Sequence, residues 1–483
     1  MSTIIGDKMV NRMRASVTGS TVAALLLGIG LASPAVAVPS FARQTGQECP
    51  ACHVSWPELT PYGRYFKLTG YTIGKTFMSS DGFNYIPAAA MLQGSVSSIK
   101  NNNTTDPNTG ETTTVMQRQS GAVFCCASLF VATKVNDYIG TFIQWTYNNL
   151  ATTADGTLGG HSNIDNTDIR AAYKYAPVDA AEPEWILGLT LNNNPTVQDP
   201  WNSTPAWSYP YTVSPLAPTP DAHTIVDGRL AQQVAGLGAY AYWKKTIYAE
   251  FSAYRTANVA GNVLRAGLPY NESGGVLAIT NFNPYWRLAY SHDWGANSIM
   301  LGAYGLTVNN YPDNLNTTTP TDRYADVAID GQYQYITDQH TFTAQATYIW
   351  EKQSYNASYP VTQETGSGYG AGPTPSNPTD RLRTFRIKGS YYYERKYGAT
   401  VAYFQTTGGA DEGLYGTTAS GYPNTPNSNG YILELDYLPL QNLRLLLQYT
   451  GYGKFNGSRT NYDSMGRNAS DNNTLFFDVW IAF

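Results

Sequence analysis

The sequence predicts an all-β protein, a 16-stranded antiparallel outer-membrane β-barrel with a short N-terminal plug segment. Three observations point there. From Tyr85 onward, segments of about ten residues alternate apolar with polar positions, the period of two that strands need when one face meets lipid and the other a wet lumen. The connections between these segments are alternately short and long, as in a barrel with tight turns at one rim and loops at the other. Only 13% of the 483 residues are charged, about half of the roughly 25% usual in soluble proteins. A mean hydropathy of -0.32, with no apolar run of about 18 residues after the first 40 positions, excludes a bundle of transmembrane helices. A net charge of -5 without a basic patch excludes a nucleic-acid partner.

Residues 1–37 carry Lys8, Arg12 and Arg14, then the apolar stretch Thr21 to Ala32, then Ala35-Val36-Ala37. This is the charged, apolar and small-residue order of a secretory signal, too short for a membrane anchor. The mature chain is expected to start at Val38 and to be exported.

Residues 38–84 form the second unit. Cys49-Pro50-Ala51-Cys52-His53 has the C-x-x-C-H spacing of covalent haem c attachment. Two intervening residues set both thiols along one porphyrin edge, and the following His lies under the iron as axial ligand. A redox dithiol and half of a zinc site are the competing readings. Zinc would need further donors, yet His161, His223, His292 and His340 are isolated in the sequence, and no thioredoxin-like βαβ pattern follows. The unit is too short for a core of its own, so it is expected to plug the barrel lumen. A sixth ligand from Met would raise the haem potential. Met78, Met91, Met116, Met300 and Met465 are the methionines after residue 37. Met91, facing inward on the first strand, and Met78, within the haem segment, are the candidates.

Residues 85–483 read as the barrel. Tight connections fall at 135–137, 177–183, 244–245, 293–297, 337–340, 395–397 and 438–442. Long ones fall at 99–115, 150–165, 194–226, 258–276, 309–321, 354–380, 407–429 and 453–473. Fifteen connections make sixteen strands, with both termini on the short-turn, periplasmic side. Phe342, Ala344, Ala346, Tyr348 and Trp350 share one face, and Thr341, Thr343, Gln345 and Thr347 the other. Arg170, Lys174, Arg386 and Lys388 point inward, where they could offset haem propionates. Cys125 and Cys126 are adjacent in a strand, so their side chains should point to opposite faces and serve packing. The last strand alternates Leu475, Phe477, Val479, Ile481 and Phe483 with Phe476, Asp478, Trp480 and Ala482, an ending similar to the assembly signal of bacterial outer-membrane barrels. A haem within the lumen could take an electron near the outer loops and release it toward the periplasm, across an apolar band roughly 25 Å tall.

With these residues in hand, the chain resembles the fused monohaem cytochrome c–porin outer-membrane iron oxidases of iron-oxidising bacteria. The resemblance rests on Phe-Ala-Arg-Gln-Thr-Gly leading into Cys49, on Gly63-Arg64-Tyr65-Phe66-Lys67-Leu68, on Asn193 through Asp199 with Trp201 to Trp207, and on Asn472-Asn473-Thr474-Leu475. It implies one-electron oxidation of extracellular Fe(II), the electron passing through one covalent haem c to a periplasmic carrier, a soluble cytochrome c or a copper protein. It carries over Cys49, Cys52 and His53; the iron-contacting residues are unknown. Two other classes stand beside it: a diffusion or uptake porin with a regulatory haem, and an electron conduit for another donor. A homo-oligomer is compatible with all of them, since many porins trimerise. In strongly acidic water carboxylates are protonated, and a surface of neutral amides with few cations avoids the repulsion that would follow.

Overall fold

The computed structural model describes residues 39–101, 103–105, 109–114, 120–150, 160–180, 182–267, 277–370, 372–416 and 423–483. The expected export segment 1–37 and Met116 lie outside them.

Three short helices come first, α1 (Ser40–Thr45), α2 (Cys49–Cys52) and α3 (Pro61–Leu68). Sixteen main strands follow: β1 (Ala88–Ile99), β2 (Ser120–Lys134), β3 (Ile139–Asn148), β4 (His161–Tyr175), β5 (Trp185–Asn192), β6 (Val234–Trp243), β7 (Ile247–Thr256), β8 (Asn283–Trp294), β9 (Asn297–Tyr311), β10 (Asp322–Ile336), β11 (His340–Ser354), β12 (Thr379–Tyr393), β13 (Tyr397–Gly408), β14 (Ser428–Leu440), β15 (Leu443–Lys454) and β16 (Thr474–Ala482). Each pairs antiparallel with the next, and β16 pairs with β1, from Thr474 opposite Ile99 to Ala482 opposite Met91, so the sheet closes. A two-residue piece, Ala278–Ile279, adds to β9 beside this ladder.

Closure leaves no free edge and bonds every strand on both sides, which a sheet in lipid requires. Among the described residues no helix is long and apolar enough to cross a membrane; the strands make the crossing. The alternation does what the sequence asks of it. On β11, Phe342 and Trp350 face outward, while Thr341 and Thr343 face inward and are buried. Leu189, Leu237, Leu301, Val327 and Val401, all more than half exposed, contribute to the outer apolar band. Trp185 beside Trp243 and Tyr397 beside Tyr437 mark its short-turn edge, the aromatic girdle of an outer-membrane barrel.

Some turns are tighter than the sequence suggests, while 177–183 widens to 176–184, 135–137 to 135–138 and 244–245 to 244–246. The connections written as 293–297 and 438–442 shrink to 295–296 and 441–442, and β1 begins at Ala88, three residues after Tyr85. Two expectations are corrected. The ladder slips by one residue between Gln93 and Gly94, which leaves Cys125 as a bulge; a bulge breaks the alternation, and Cys125 and Cys126 are joined in a disulfide instead of pointing apart. The connection between β5 and β6, residues 193–233, is no outer loop. It folds into the barrel, where Val197, Asp199, Thr204 and Ile225 are fully buried.

The lumen is therefore filled in layers. Residues 39–87 occupy the short-turn end. Residues 193–233 lie against them: Lys67 Nζ donates to the carbonyls of Val197 and Asp199 at 2.7 Å each and to Asn202 Oδ1 at 3.0 Å. Lumen-facing charges that would be wet in an open channel are enclosed, Arg170 and Arg287 at 0% exposure and Asp330 at 6%.

Candidate functional site

Helix α2 is a single turn with Pro50 at its start, and the chain leaves it in extended conformation at His53. Its carbonyls are taken up nearby. Thr60 Oγ1 donates to Ala51 O at 2.6 Å, and Thr60 N donates to Cys52 O at 2.9 Å. Thr60 also caps α3 by accepting from Gly63 N. A Cβ at residue 63 would collide with the Cys52 carbonyl, so glycine lets α3 lie directly on the turn that carries the thiols.

Barrel residues at the short-turn end hold this turn. Arg395, in the tight connection between β12 and β13, donates from Nη1 to Pro50 O at 2.8 Å. Arg444 Nη1 donates to Trp56 O at 2.9 Å, and the Trp56 ring meets Trp480 edge to face at 5.9 Å. Asn202 Nδ2, from the inserted connection, donates to Pro57 O. Lys388 Nζ pairs with Glu58 Oε2, and Tyr211 Oη donates to the same oxygen at 3.1 Å. Burial alone would raise the Glu58 carboxyl, but the Lys388 ammonium and these hydrogen bonds bring it below the usual carboxylate value.

The donor set suits a covalent haem. Cys49 and Cys52 are free thiols, each partly exposed. Burial raises the Cys49 thiol and, with the neighbouring Cys49, pushes Cys52 up to about 11; a catalytic dithiol needs the opposite shift. Burial lowers the His53 imidazole to about 4, which favours its neutral form, and its Nδ1 is buried with no hydrogen-bond partner among the described residues. Among those residues no group of three or more His, Cys, Asp or Glu is arranged to hold a bare metal ion, which disfavours zinc.

The two methionine candidates part company. Met91 lies on β1 with the parity of the buried Gln93 and Ser95, opposite Ala482, two pairs nearer the short-turn rim than Trp480. It therefore stands on the wall that touches Trp56. Met78 is 52% exposed on a small hairpin paired with Phe83.

Three of the four cations expected to face propionates are committed elsewhere. Arg170 pairs with Asp168 at 2.8 Å and donates to Gln198 O, Arg386 forks onto Asp227 and reaches Ser208, Lys388 holds Glu58, and Lys174 is exposed near the short-turn rim. A buried charge needs a partner: the wall supplies Asp168, the plug Glu58, and the inserted connection Asp227, Ser208 and the Gln198 carbonyl. The haem segment is expected inside the lumen, taking its electron near the outer loops; its turn lies at the short-turn end of the lumen, with residues 193–233 between it and those loops. At the long-loop end lies an open vestibule of about 1010 Å³.

No protein-family model and no curated protein matches the chain. Solved structures similar to it include a loop-deletion mutant of the outer-membrane protein OmpT of Vibrio cholerae, 10% identical over 82% of this chain and 98% of that one, with a TM-score of 0.41. The outer-membrane channel DcaP of Acinetobacter baumannii is 13% identical over 84% and 99%, at 0.44. OmpF of Salmonella typhi, solved with daunomycin, is 10% identical over 82% and 97%, at 0.42.

Proposed function

We propose that this porin-type outer-membrane barrel is a c-type cytochrome that oxidises extracellular Fe(II) by one electron and hands the electron to a periplasmic carrier, a soluble cytochrome c or a copper protein. The observation that carries the reading is the CPACH turn, with two free thiols and an imidazole whose Nδ1 has no partner among the described residues, fastened across the end of a filled lumen. Bound there, a haem c would supply a one-electron redox centre. Cys49 and Cys52 would tether it and His53 would ligate its iron, with Met91 the better placed sixth ligand. Arg395, Arg444 and Lys388 fix the turn on the barrel wall. The packed layer of residues 193–233 keeps bulk water and solutes from running through. Each Fe(II) gives up one electron and leaves as Fe(III), and no proton need move. The donor's identity comes from the resemblance; the geometry supports a conduit of electrons.

A diffusion or uptake pore with a regulatory haem is the second reading, favoured by the open vestibule and the barrel type. Two measurements on the purified protein separate them. Stopped-flow mixing with Fe(II) at acid pH is expected to reduce the haem, with only small conductance in planar bilayers. Steady porin-like conductance with a haem that stays oxidised would establish the pore instead.

A further inference from the structure

Gly228 and Arg229 of the inserted connection line the vestibule, together with Tyr324 of β10 and Gln353 of β11. Just before them, Ile225 and Val226 are buried against the wall, at 0% and 2% exposure. Their backbone N–H groups go to side chains: Val226 N donates to Asp326 Oδ2 at 2.8 Å, and Ile225 N to Glu351 Oε2. Asp326 and Glu351 stand directly opposite each other on β10 and β11. Each is 2% exposed, and the two carboxyls lie within hydrogen-bond reach of one another.

A carboxylate oxygen can only accept. Glu351 Oε1 takes Gln353 Nε2 at 2.6 Å, yet Asp326 Oδ1 is buried with no donor among the described residues. Such an atom is costly, and a proton shared by the two carboxyls satisfies it without any molecule having to enter. The charges nearby ask for the same proton. Asp227 and Arg229 face the pair from the connection, and Arg386 of β12 forks onto Asp227. The Arg229 guanidinium lies over the Tyr324 ring at 5.2 Å, and the half-exposed His223 is 4.0 Å from Asp227. The other titratable neighbours are the hydroxyls of Tyr324, Tyr355 and Tyr415. Asp227, Asp326 and Glu351 thus make three carboxyls against two guanidiniums, and a buried charge without a partner is costly; one proton closes the difference.

We propose that Asp326 and Glu351 share one proton and form an acid-closed latch, which holds the inserted connection on the barrel wall and releases it when the proton passes to vestibule water. With the proton gone, two carboxylates directly opposite each other repel, and hydration is the available relief. Water reaches the pair only if Ile225 and Val226 lift, and the vestibule beside them is already open. The closed form holds one proton more than the open form, so closure strengthens as pH falls. The latch makes the lumen tightest in acid water, and it stands apart from the haem and from the identity of any electron donor.

Conductance of the intact protein in planar bilayers tests it, read from about pH 5, where ordinary carboxylates such as that of Glu58 are still ionised, to about pH 8. The unmodified protein is expected to conduct little at the acid end and severalfold more at the other, reversibly. Asp326→Asn keeps an oxygen for Val226 N and puts a permanent N–H donor beside Glu351 where the shared proton stood, so its conductance should stay low across the range. Glu351→Gln supplies the same donor from the opposite strand and serves where the first variant does not fold, as judged by heat-modifiable gel migration. Hydrogen exchange of the peptide containing Ile225 and Val226 gives a second reading: at pH 8 the amides should exchange severalfold more slowly in the folded variant than in the unmodified protein. Conductance that is flat with pH in the unmodified protein, or a rise and an exchange rate that the folded variant leaves untouched, overturns the latch.

Discussion

The C-x-x-C-H spacing of Cys49, Cys52 and His53 is legible in the sequence because it runs along the chain, and one helical turn carries it in the fold. Replacing Cys52 with Ala should eliminate the haem that survives denaturation, seen as loss of haem staining on a denaturing gel; full retention would refute the attachment site. Glu58 is different. Its partner Lys388 is 330 residues away, so no local pattern marks it, and only closure of the barrel brings the two together. Because its folded value lies below the ordinary carboxylate value, the pair stabilises the plug above that ordinary value, and the contribution is lost as pH falls through the lower folded value. Protease cleavage of the plug should therefore rise as pH drops from about 4.5 toward 2. Glu58→Gln leaves the buried Lys388 without its counter-charge, a loss of about 3–5 kcal/mol. The variant's plug should be cleaved readily even at pH 6, with a flatter acid response; an unchanged profile would show that the pair does not hold the plug.

At the scale of elements, the strands were legible and the inserted connection was not. A strand between lipid and lumen must alternate, and that demand is written in β11 and β12 residue by residue. Residues 193–233 are rich in Pro and Thr and nearly free of Lys and Arg, like the true outer loops, so composition does not separate them. The available signal was Trp201 with Asp199, a large aromatic and a charge that an exposed loop has little reason to carry together. In the fold Arg287 answers that charge, 3.3 Å from Asp199 and 2.8 Å from Asp330, with its guanidinium over the Trp201 ring at 5.7 Å. Arg287→Met leaves two buried carboxylates unpaired, which should loosen the connection and raise single-channel conductance severalfold over the unmodified protein; equal conductance would mean that the connection is not what closes the lumen. Glycines tell a similar story. Gly140 on β3 is where the plug backbone comes closest, since a Cβ there would strike the Gly70 carbonyl and the Tyr71 side chain. Gly140→Val should push residues 70–71 off the wall and lower the yield of heat-modifiable barrel.

At the scale of the molecule, the low charge fraction is a consequence of which solvent each face meets. Outward positions on the strands are largely apolar, and a share of the charges is buried inside, several of them paired between plug, inserted connection and wall. A packed lumen of this kind serves passage of electrons better than passage of solutes. The arrangement puts the CPACH turn at one end and the open vestibule at the other, so donor and acceptor would meet opposite faces. The most direct test reconstitutes the haem-loaded protein in sealed liposomes with an oxidised soluble cytochrome c trapped inside and adds Fe(II) outside at acid pH. The account predicts reduction of the trapped cytochrome, dependent on the barrel and absent with Cys52→Ala. A trapped cytochrome that stays oxidised, in vesicles where the barrel's own haem is present and accessible, would contradict it.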